Sequence, residues 1–221
     1  MSKPTIIFVH GAFHTPESFG PLATLLRAAS HPCIEDLKLP GTGNTSTATL
    51  ADDASALRKV VLRVLDDEGQ NCIVVMHSYG AVVGIQGLQG LGRKARGAEG
   101  KTTGVLKMVY LSANIPREGE SHFGQVGAWM AENGREMPPI VDVRDGVGFF
   151  VGDESVFYND LGAEMQRKLM GKLEGQSMRF VVLPFPFVLL AHLASWMAVV
   201  MSGRKLTVSK HAADAYLESC V

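Results

Sequence analysis

The sequence has few of the residues and patterns that mark secreted, zinc-binding or nucleic-acid-binding proteins. It contains only three cysteines, an odd number, and no two of them form a CxxC pair. A disulfide framework and a cysteine zinc site are therefore not expected, and a reducing compartment is favoured. Basic and acidic residues nearly cancel, at 21 against 22, so we expect no broad attraction to nucleic acid or to an anionic membrane.

Targeting and cofactor motifs are also lacking. The N-terminal residues lead directly into a short apolar run, without the pattern of a signal peptide, so we expect a cytoplasmic protein. One locally basic segment, 93–101, is predicted to be a solvated surface loop. The Gly41-x-Gly43 pair lacks the third glycine of a dinucleotide fingerprint and does not lead into a helix. No cofactor and no metal are therefore predicted.

Short apolar runs alternate with amphipathic helical patterns along the first half of the 221 residues. The predicted strands are 5–9, 33–37, 71–76 and 105–111, with predicted helices after residues 15, 49 and 78. This alternation predicts a single α/β domain over 1–221, a doubly wound and mostly parallel sheet with helices on both faces. Residues 115–178, with scattered charges and two short helical patterns near 123–132 and 163–173, are predicted to form a small cap over the sheet.

The remaining segment, 180–221, has a different character. Residues 180–201 are almost wholly apolar and long enough to cross a bilayer. Pro184 and Pro186 would interrupt a helix there, and His192 lies inside the run. We expect a buried strand and helix, with a membrane-associated tail and a poorly folded extension as the alternatives.

The most informative stretch is Met76-His77-Ser78-Tyr79-Gly80, between a predicted strand and a predicted helix. A serine on such a sharp turn presents its hydroxyl in the crevice at the carboxyl end of the strand. The following N–H, that of Tyr79, lies at the positive end of the helix and can stabilise an oxyanion. The usual G-x-S-x-G signature has Met76 in place of its first glycine. A nucleophile elbow is therefore predicted, with a helix-capping serine as the alternative.

Three segments resemble the α/β-hydrolase superfamily, and most closely its small esterase and hydroxynitrile-lyase-like branch. They are IIFVHGAFHTPESF, VVMHSYGA and VYLSANIPREGES, and the similarity extends over roughly 4–178. The resemblance implies that Ser78 is the nucleophile and that the backbone N–H groups of Ala12 and Tyr79 form the oxyanion hole. It further implies a serine hydrolase that cleaves a small hydrophobic ester through an acyl-serine intermediate.

Three histidines lie beside the two turns that carry this resemblance. His10 is expected to shape the oxyanion loop, as it usually does in this family, and not to carry protons. His14 is expected either to line the pocket or to bond the backbone, and His77 is expected to be structural. His10 and His14 are not predicted to bind a metal, because their spacing lies across a turn and no third ligand is evident.

The partners that a catalytic serine needs are not identified by the sequence. In this family an Asp or Glu follows the serine and a histidine lies near the C-terminus, but nothing after residue 179 resembles either element. His192 is predicted to be structural, and His211 near Asp214 is a weak candidate. We hypothesise that this tail reflects an altered reading frame or a splice form. Independent transcripts that carry the same tail in a clean open frame would contradict this hypothesis.

Two alternative functions therefore stay open, and the oligomeric state is not indicated. One is a catalytically impaired binding protein on the same scaffold, and the other is hydroxynitrile-lyase-like activity.

Overall fold

The computed structural model describes residues 3–113, 115, 127, 130–136 and 139–180. The predictions for the apolar run, His192, His211 and Asp214 lie outside the described residues. So does most of the predicted helical pattern near 123–132.

Four parallel strands form the central sheet. They are β1 (Thr5–Val9), β2 (Cys33–Ile34), β3 (Cys72–His77) and β4 (Val105–Leu111), in the spatial order β2-β1-β3-β4. Each neighbouring pair is parallel, which confirms the predicted doubly wound sheet. Strand β2 is shorter than the predicted 33–37, because its pairing with β1 ends at Ile7 and Ile34.

Helices cover both faces of this sheet, as predicted. A 3-10 turn (Pro16–Phe19) leads into α1 (Gly20–Ala28) on one face, and α2 (Leu50–Leu62) and α3 (Tyr79–Gly87) pack on the other. Alternate residues of β1 explain both cores. Ile6 and Phe8 pack with Phe19, whereas Ile7 and Val9 pack with residues of α2 and α3.

Helix α3 lies unusually close to its neighbours. A Cβ atom built onto Gly80 would lie 2.5 Å from the carbonyl oxygen of Val9 and 2.8 Å from that of His10. One built onto Gly87 would lie 2.7 Å from the carbonyl oxygen of Ala54 on α2. Glycine therefore lets this helix approach the end of β1 and the side of α2.

The locally basic segment is a helix and not the solvated loop that we predicted. Helix α4 (Arg93–Ala98) follows α3, and Arg96 is only 4% exposed. Its guanidinium donates to the carbonyl oxygen of Thr103 at 2.9 Å and to the carboxylate of Asp66 at 2.6 Å. These partners compensate the charge, which is why the arginine can be buried.

The cap contains an antiparallel sheet that the sequence analysis missed. Strands β5 (Val141–Arg144) and β6 (Val147–Phe150) form a hairpin, followed by α5 (Ser155–Tyr158), α6 (Ala163–Met170) and β7 (Gln176–Ser177). The hairpin turn is Asp145-Gly146, and both residues have positive φ. Strand β7 also bonds the loop after β2, where the Ser177 N–H donates to the Gly41 carbonyl oxygen at 2.7 Å.

Candidate active site

Ser78 occupies the sharp bend between β3 and α3. Its backbone angles, φ 50° and ψ −120°, lie in a region that residues with a side chain rarely adopt. Its N–H donates to the carbonyl oxygen of Leu111 on β4 at 3.1 Å, which ties the bend to the neighbouring strand. The side chain makes no capping hydrogen bond to α3. The hydroxyl therefore does not act as a helix cap, which was the alternative interpretation of this serine.

The turn that follows β1 lies directly beside this bend. A Cβ atom built onto Gly11 would be only 3.1 Å from Cβ of Ser78 and 2.8 Å from Nδ1 of His77. The His14 N–H donates to the Gly11 carbonyl oxygen at 3.3 Å, and Phe13 has a positive φ of 66°. The structure thus brings the two informative turns, 10–14 and 76–80, together at the carboxyl edge of the sheet.

His10 is fully engaged in shaping that turn. Its Nε2 accepts a hydrogen bond from the Leu39 N–H at 3.1 Å, so its Nδ1 carries the proton that is donated to the Gly11 carbonyl oxygen at 2.9 Å. The ring is 1% exposed, and burial lowers its pKa from 6.5 to about 4. His10 is therefore neutral and has no free lone pair with which to deprotonate Ser78.

His14 bonds both the backbone and the cap. Its Nδ1 lies 2.9 Å from the Ala12 carbonyl oxygen, and its Nε2 lies 3.1 Å from the Tyr158 hydroxyl. The ring packs edge-on against Phe157 and His77, with centroid separations of 5.0 Å and 5.4 Å. Burial lowers the pKa of His14 below 6.5, and that of His77 to about 4. Of the two roles expected for His14, the structure shows the hydrogen bond to the backbone.

A buried pair beneath the bend was missed by the sequence analysis. Tyr79 is fully buried, and its hydroxyl donates to Oδ2 of Asp53 at 2.6 Å. Oδ1 of the same carboxyl accepts from the Gly41 N–H at 2.6 Å, and burial raises the pKa of Asp53. Its position on the helix face that carries Leu50 and Leu57 was the signal of a buried carboxyl.

The site offers no evident place for a metal. Among the residues that the structure describes, no group of three or more His, Cys, Asp or Glu side chains is arranged to hold an ion. The same residues include no helix that is both long and apolar enough to cross a membrane.

Comparison with known proteins identifies the class to which this fold and this bend belong. A model of the alpha/beta hydrolase family matches residues 6–218. The chain therefore belongs to the alpha/beta hydrolase family, as the motifs around Ala12 and Ser78 indicated.

Two curated relatives are fungal proteins. The chain is 37% identical over 140 residues to "Probable hydrolase R7" of Phoma sp. (strain ATCC 20986 / MF5453), covering 62% of this chain and 53% of the relative. It is 30% identical over 128 residues to "Alpha/beta hydrolase nvfD" of Aspergillus novofumigatus (strain IBT 16806), covering 57% and 49%. The chain thus spans about half the length of the curated relatives it matches.

Solved structures share the fold at low sequence identity. Polyneuridine aldehyde esterase superimposes with a TM-score of 0.58 at 14% identity, covering 80% of this chain and 71% of the esterase. An extracellular alpha/beta-hydrolase from a Paenibacillus species gives a TM-score of 0.58 at 13% identity, with coverages of 82% and 70%. Tomato methylketone synthase I gives 0.54 at 16% identity, with coverages of 83% and 74%. At these identities the likeness shows the fold alone.

Proposed function

We propose that the protein is a serine hydrolase that cleaves a small hydrophobic ester through an acyl-serine intermediate. The observation that carries the proposal is the strained backbone of Ser78, held at the end of β3 beside the turn at Gly11. Residues in such conformations persist where the surrounding structure fixes them, and they cluster at active sites. The uncapped hydroxyl and the close approach of Gly80 to β1 support the same assignment.

The proposed chemistry follows from the groups around the bend. The Ser78 hydroxyl attacks the ester carbonyl, the alcohol leaves, and water then releases the acyl group. Negative charge on the carbonyl oxygen is stabilised by the backbone N–H groups of Ala12 and Tyr79. One such donor typically contributes about 3–4 kcal/mol to lowering the barrier. The hydrogen bond from the Tyr79 hydroxyl to Asp53 fixes the side chain of Tyr79, the residue whose backbone N–H is the second oxyanion donor.

Aromatic side chains next to the turn at residues 10–14, here called the oxyanion turn, favour a hydrophobic substrate. Phe13 lies 6.2 Å from Phe150 between ring centroids, Phe150 lies 4.3 Å from Phe157, and Phe157 contacts His14. These contacts form an apolar wall between the turn and the cap. Polyneuridine aldehyde esterase, which shares the fold, is by its name an esterase, so ester cleavage is compatible with this scaffold.

A second candidate is a binding protein that lacks hydrolytic activity. A serine needs a base within hydrogen-bonding distance to become a nucleophile. Among the described residues no histidine bonds Ser78, because His10 and His14 are engaged with the backbone and the cap. The histidine that the hydrolase proposal requires would come from the residues that the structure does not describe, among which the sequence has His122, His192 and His211.

A fluorophosphonate probe separates the two candidates, because it reacts only with an activated serine. The full chain and Ser78→Ala are incubated with the probe, and circular dichroism verifies that both are folded. Labelling that disappears in Ser78→Ala supports the hydrolase, and p-nitrophenyl esters of increasing acyl length then test the preference for apolar substrates. A folded wild-type protein that takes up no probe would refute the hydrolase proposal and favour the binding protein.

A further inference from the structure

The oxyanion turn is held at each of its two peptide planes by a different set of hydrogen bonds. In the plane that joins residues 11 and 12, the Gly11 carbonyl oxygen accepts from the His10 ring at 2.9 Å and from the His14 N–H at 3.3 Å. Because a trans peptide is planar, the Ala12 N–H of this plane points in the opposite direction from that carbonyl. The orientation of the proposed oxyanion donor is therefore fixed in part by these two bonds.

The peptide plane that joins residues 12 and 13 is held by the ring of His14. Its Nδ1 lies 2.9 Å from the Ala12 carbonyl oxygen, which can only accept, so this nitrogen carries the proton. Nε2 of the neutral ring is then an acceptor, and the Tyr158 hydroxyl at 3.1 Å must be the donor. The Ala12 carbonyl oxygen thus selects the tautomer of His14, and the Tyr158 hydroxyl holds the ring in the position from which Nδ1 reaches that carbonyl.

The turn needs this support because its backbone is strained. Phe13 has a φ of 66°, where a bulky side chain is unfavourable by about 1–3 kcal/mol. Without the bond from Nδ1 to the Ala12 carbonyl, the turn can relax toward ordinary angles and rotate Ala12. Such a rotation would move the Ala12 N–H away from the position that a substrate oxygen occupies.

We propose that Tyr158 of the cap is a positioning residue for the oxyanion hole, acting through His14 on Ala12. The proposal rests on the proposed function, since it assigns a role for that reaction. It makes the cap a part of the catalytic geometry as well as a cover over the substrate.

Tyr158→Phe tests the proposal, with Tyr110→Phe as the matched control. Both substitutions remove a hydroxyl from a half-buried tyrosine, and Tyr110 lies on β4, where its hydroxyl contacts Sδ of Met108 at 3.8 Å. The ring nitrogens of His14 are observed by ¹⁵N NMR and assigned from the signals lost in His14→Gln. We expect Nδ1 protonation in all three proteins, and an Nε2 signal that loses the shift caused by its accepted hydrogen bond in Tyr158→Phe but not in Tyr110→Phe.

The rate constant for fluorophosphonate labelling gives the second readout. Removing an oxyanion donor lowers rates by about 10²–10³, and loosening one lowers them less, so we expect a decrease of roughly tenfold in Tyr158→Phe. Tyr110→Phe should label at the wild-type rate. If Tyr158 acts through His14, adding Tyr158→Phe to His14→Gln should produce no further decrease. If Tyr158→Phe does not fold, His14→Gln alone provides the test, because it breaks the same link to Ala12 and should slow labelling by at least as much; an unchanged rate in that variant overturns the proposal.

The possible results separate this proposal from the hydrolase proposal. An unchanged Nε2 signal of His14, or an unchanged labelling rate, in Tyr158→Phe overturns the positioning role while the hydrolase proposal stands. A folded wild type that is not labelled refutes the hydrolase proposal. In that case the backbone amide signal of Ala12 tests the positioning role of Tyr158. A signal that moves in Tyr158→Phe but not in Tyr110→Phe supports the link to Ala12, and one that does not move overturns it.

Discussion

Replacing Gly80 with alanine tests whether the elbow depends on the close approach of α3 to β1. The new methyl group would meet two backbone carbonyl oxygens, at 2.5 Å from that of Val9 and 2.8 Å from that of His10. Both atoms belong to the end of a fully buried strand and its turn, so neither can move aside as a flexible side chain could. The helix must therefore shift outward and carry Ser78 with it.

The expected change in stability has two opposing parts. Alanine is better than glycine in a helix by about 1 kcal/mol. Overpacking against a rigid core typically reduces stability by about 1–3 kcal/mol, and contact with backbone falls at the upper end. Gly97→Ala is the matched control, because Gly97 also lies in a helix but a Cβ atom there meets nothing within 4 Å. The helix-propensity gain is common to both variants and cancels, so we expect Gly80→Ala to be less stable than Gly97→Ala by roughly 1–3 kcal/mol, toward the upper end of that range.

Urea unfolding followed by circular dichroism measures both variants against the wild type. Gly97→Ala should be as stable as the wild type or slightly more stable, whereas Gly80→Ala should unfold at a clearly lower urea concentration. Fluorophosphonate labelling of Gly80→Ala should slow as the bend is displaced. If the two variants had equal free energies of unfolding, the contact between α3 and β1 would not be as close as described, and the reasoning about the elbow would fail.

Three further substitutions or conditions have expected outcomes. Tyr79→Phe leaves the buried Asp53 carboxyl without one of its two donors and should lower the free energy of unfolding by about 2 kcal/mol in urea titrations. His10 is neutral and buried, with a pKa of about 4. As the pH falls from 6.5 toward 4, His10 therefore becomes protonated in the unfolded chain but not in the folded protein, which favours unfolding. The free energy of unfolding from urea titrations should therefore decrease over that window, by up to about 3 kcal/mol for His10, and His77 should add to the decrease. A free energy of unfolding that does not change with pH would contradict the assignment. Ser78→Gly removes the strain at φ 50° and should raise the unfolding temperature, corresponding to about 1 kcal/mol, while labelling is lost; a lower unfolding temperature would argue against a strained bend.

The elements with a clear apolar pattern could be predicted well from sequence. Strand β1, which is buried throughout, and strand β4, in which only Val105 is buried, both begin and end where predicted, and α2 follows the spacing of its apolar residues. The hairpin of β5 and β6 was missed although Asp145-Gly146 is a strong turn signal. Its strands are short, and Val143 is exposed, so the pattern around the turn was weak.

The candidate site was predictable only where neighbours in sequence define it. The bend at Ser78 and the turn at Ala12 each follow from a few adjacent residues, and the parallel sheet then places both at one edge. The contact between His14 and Tyr158 joins residues 144 positions apart, and no local pattern announces it. Asp53 is an intermediate case, since its place on an apolar helix face indicated burial but not its partner Tyr79.

The pairing of β7 with the loop after β2 also sets an order of events during synthesis. Thr42 and Gln176, which are hydrogen-bonded in the finished structure, are 134 positions apart. All four strands that the structure describes in the parallel sheet leave the ribosome before Gln176 does, and closing so long a loop is entropically unfavourable. During synthesis the two turns beside the serine are therefore complete before the strand that ties the cap to the sheet.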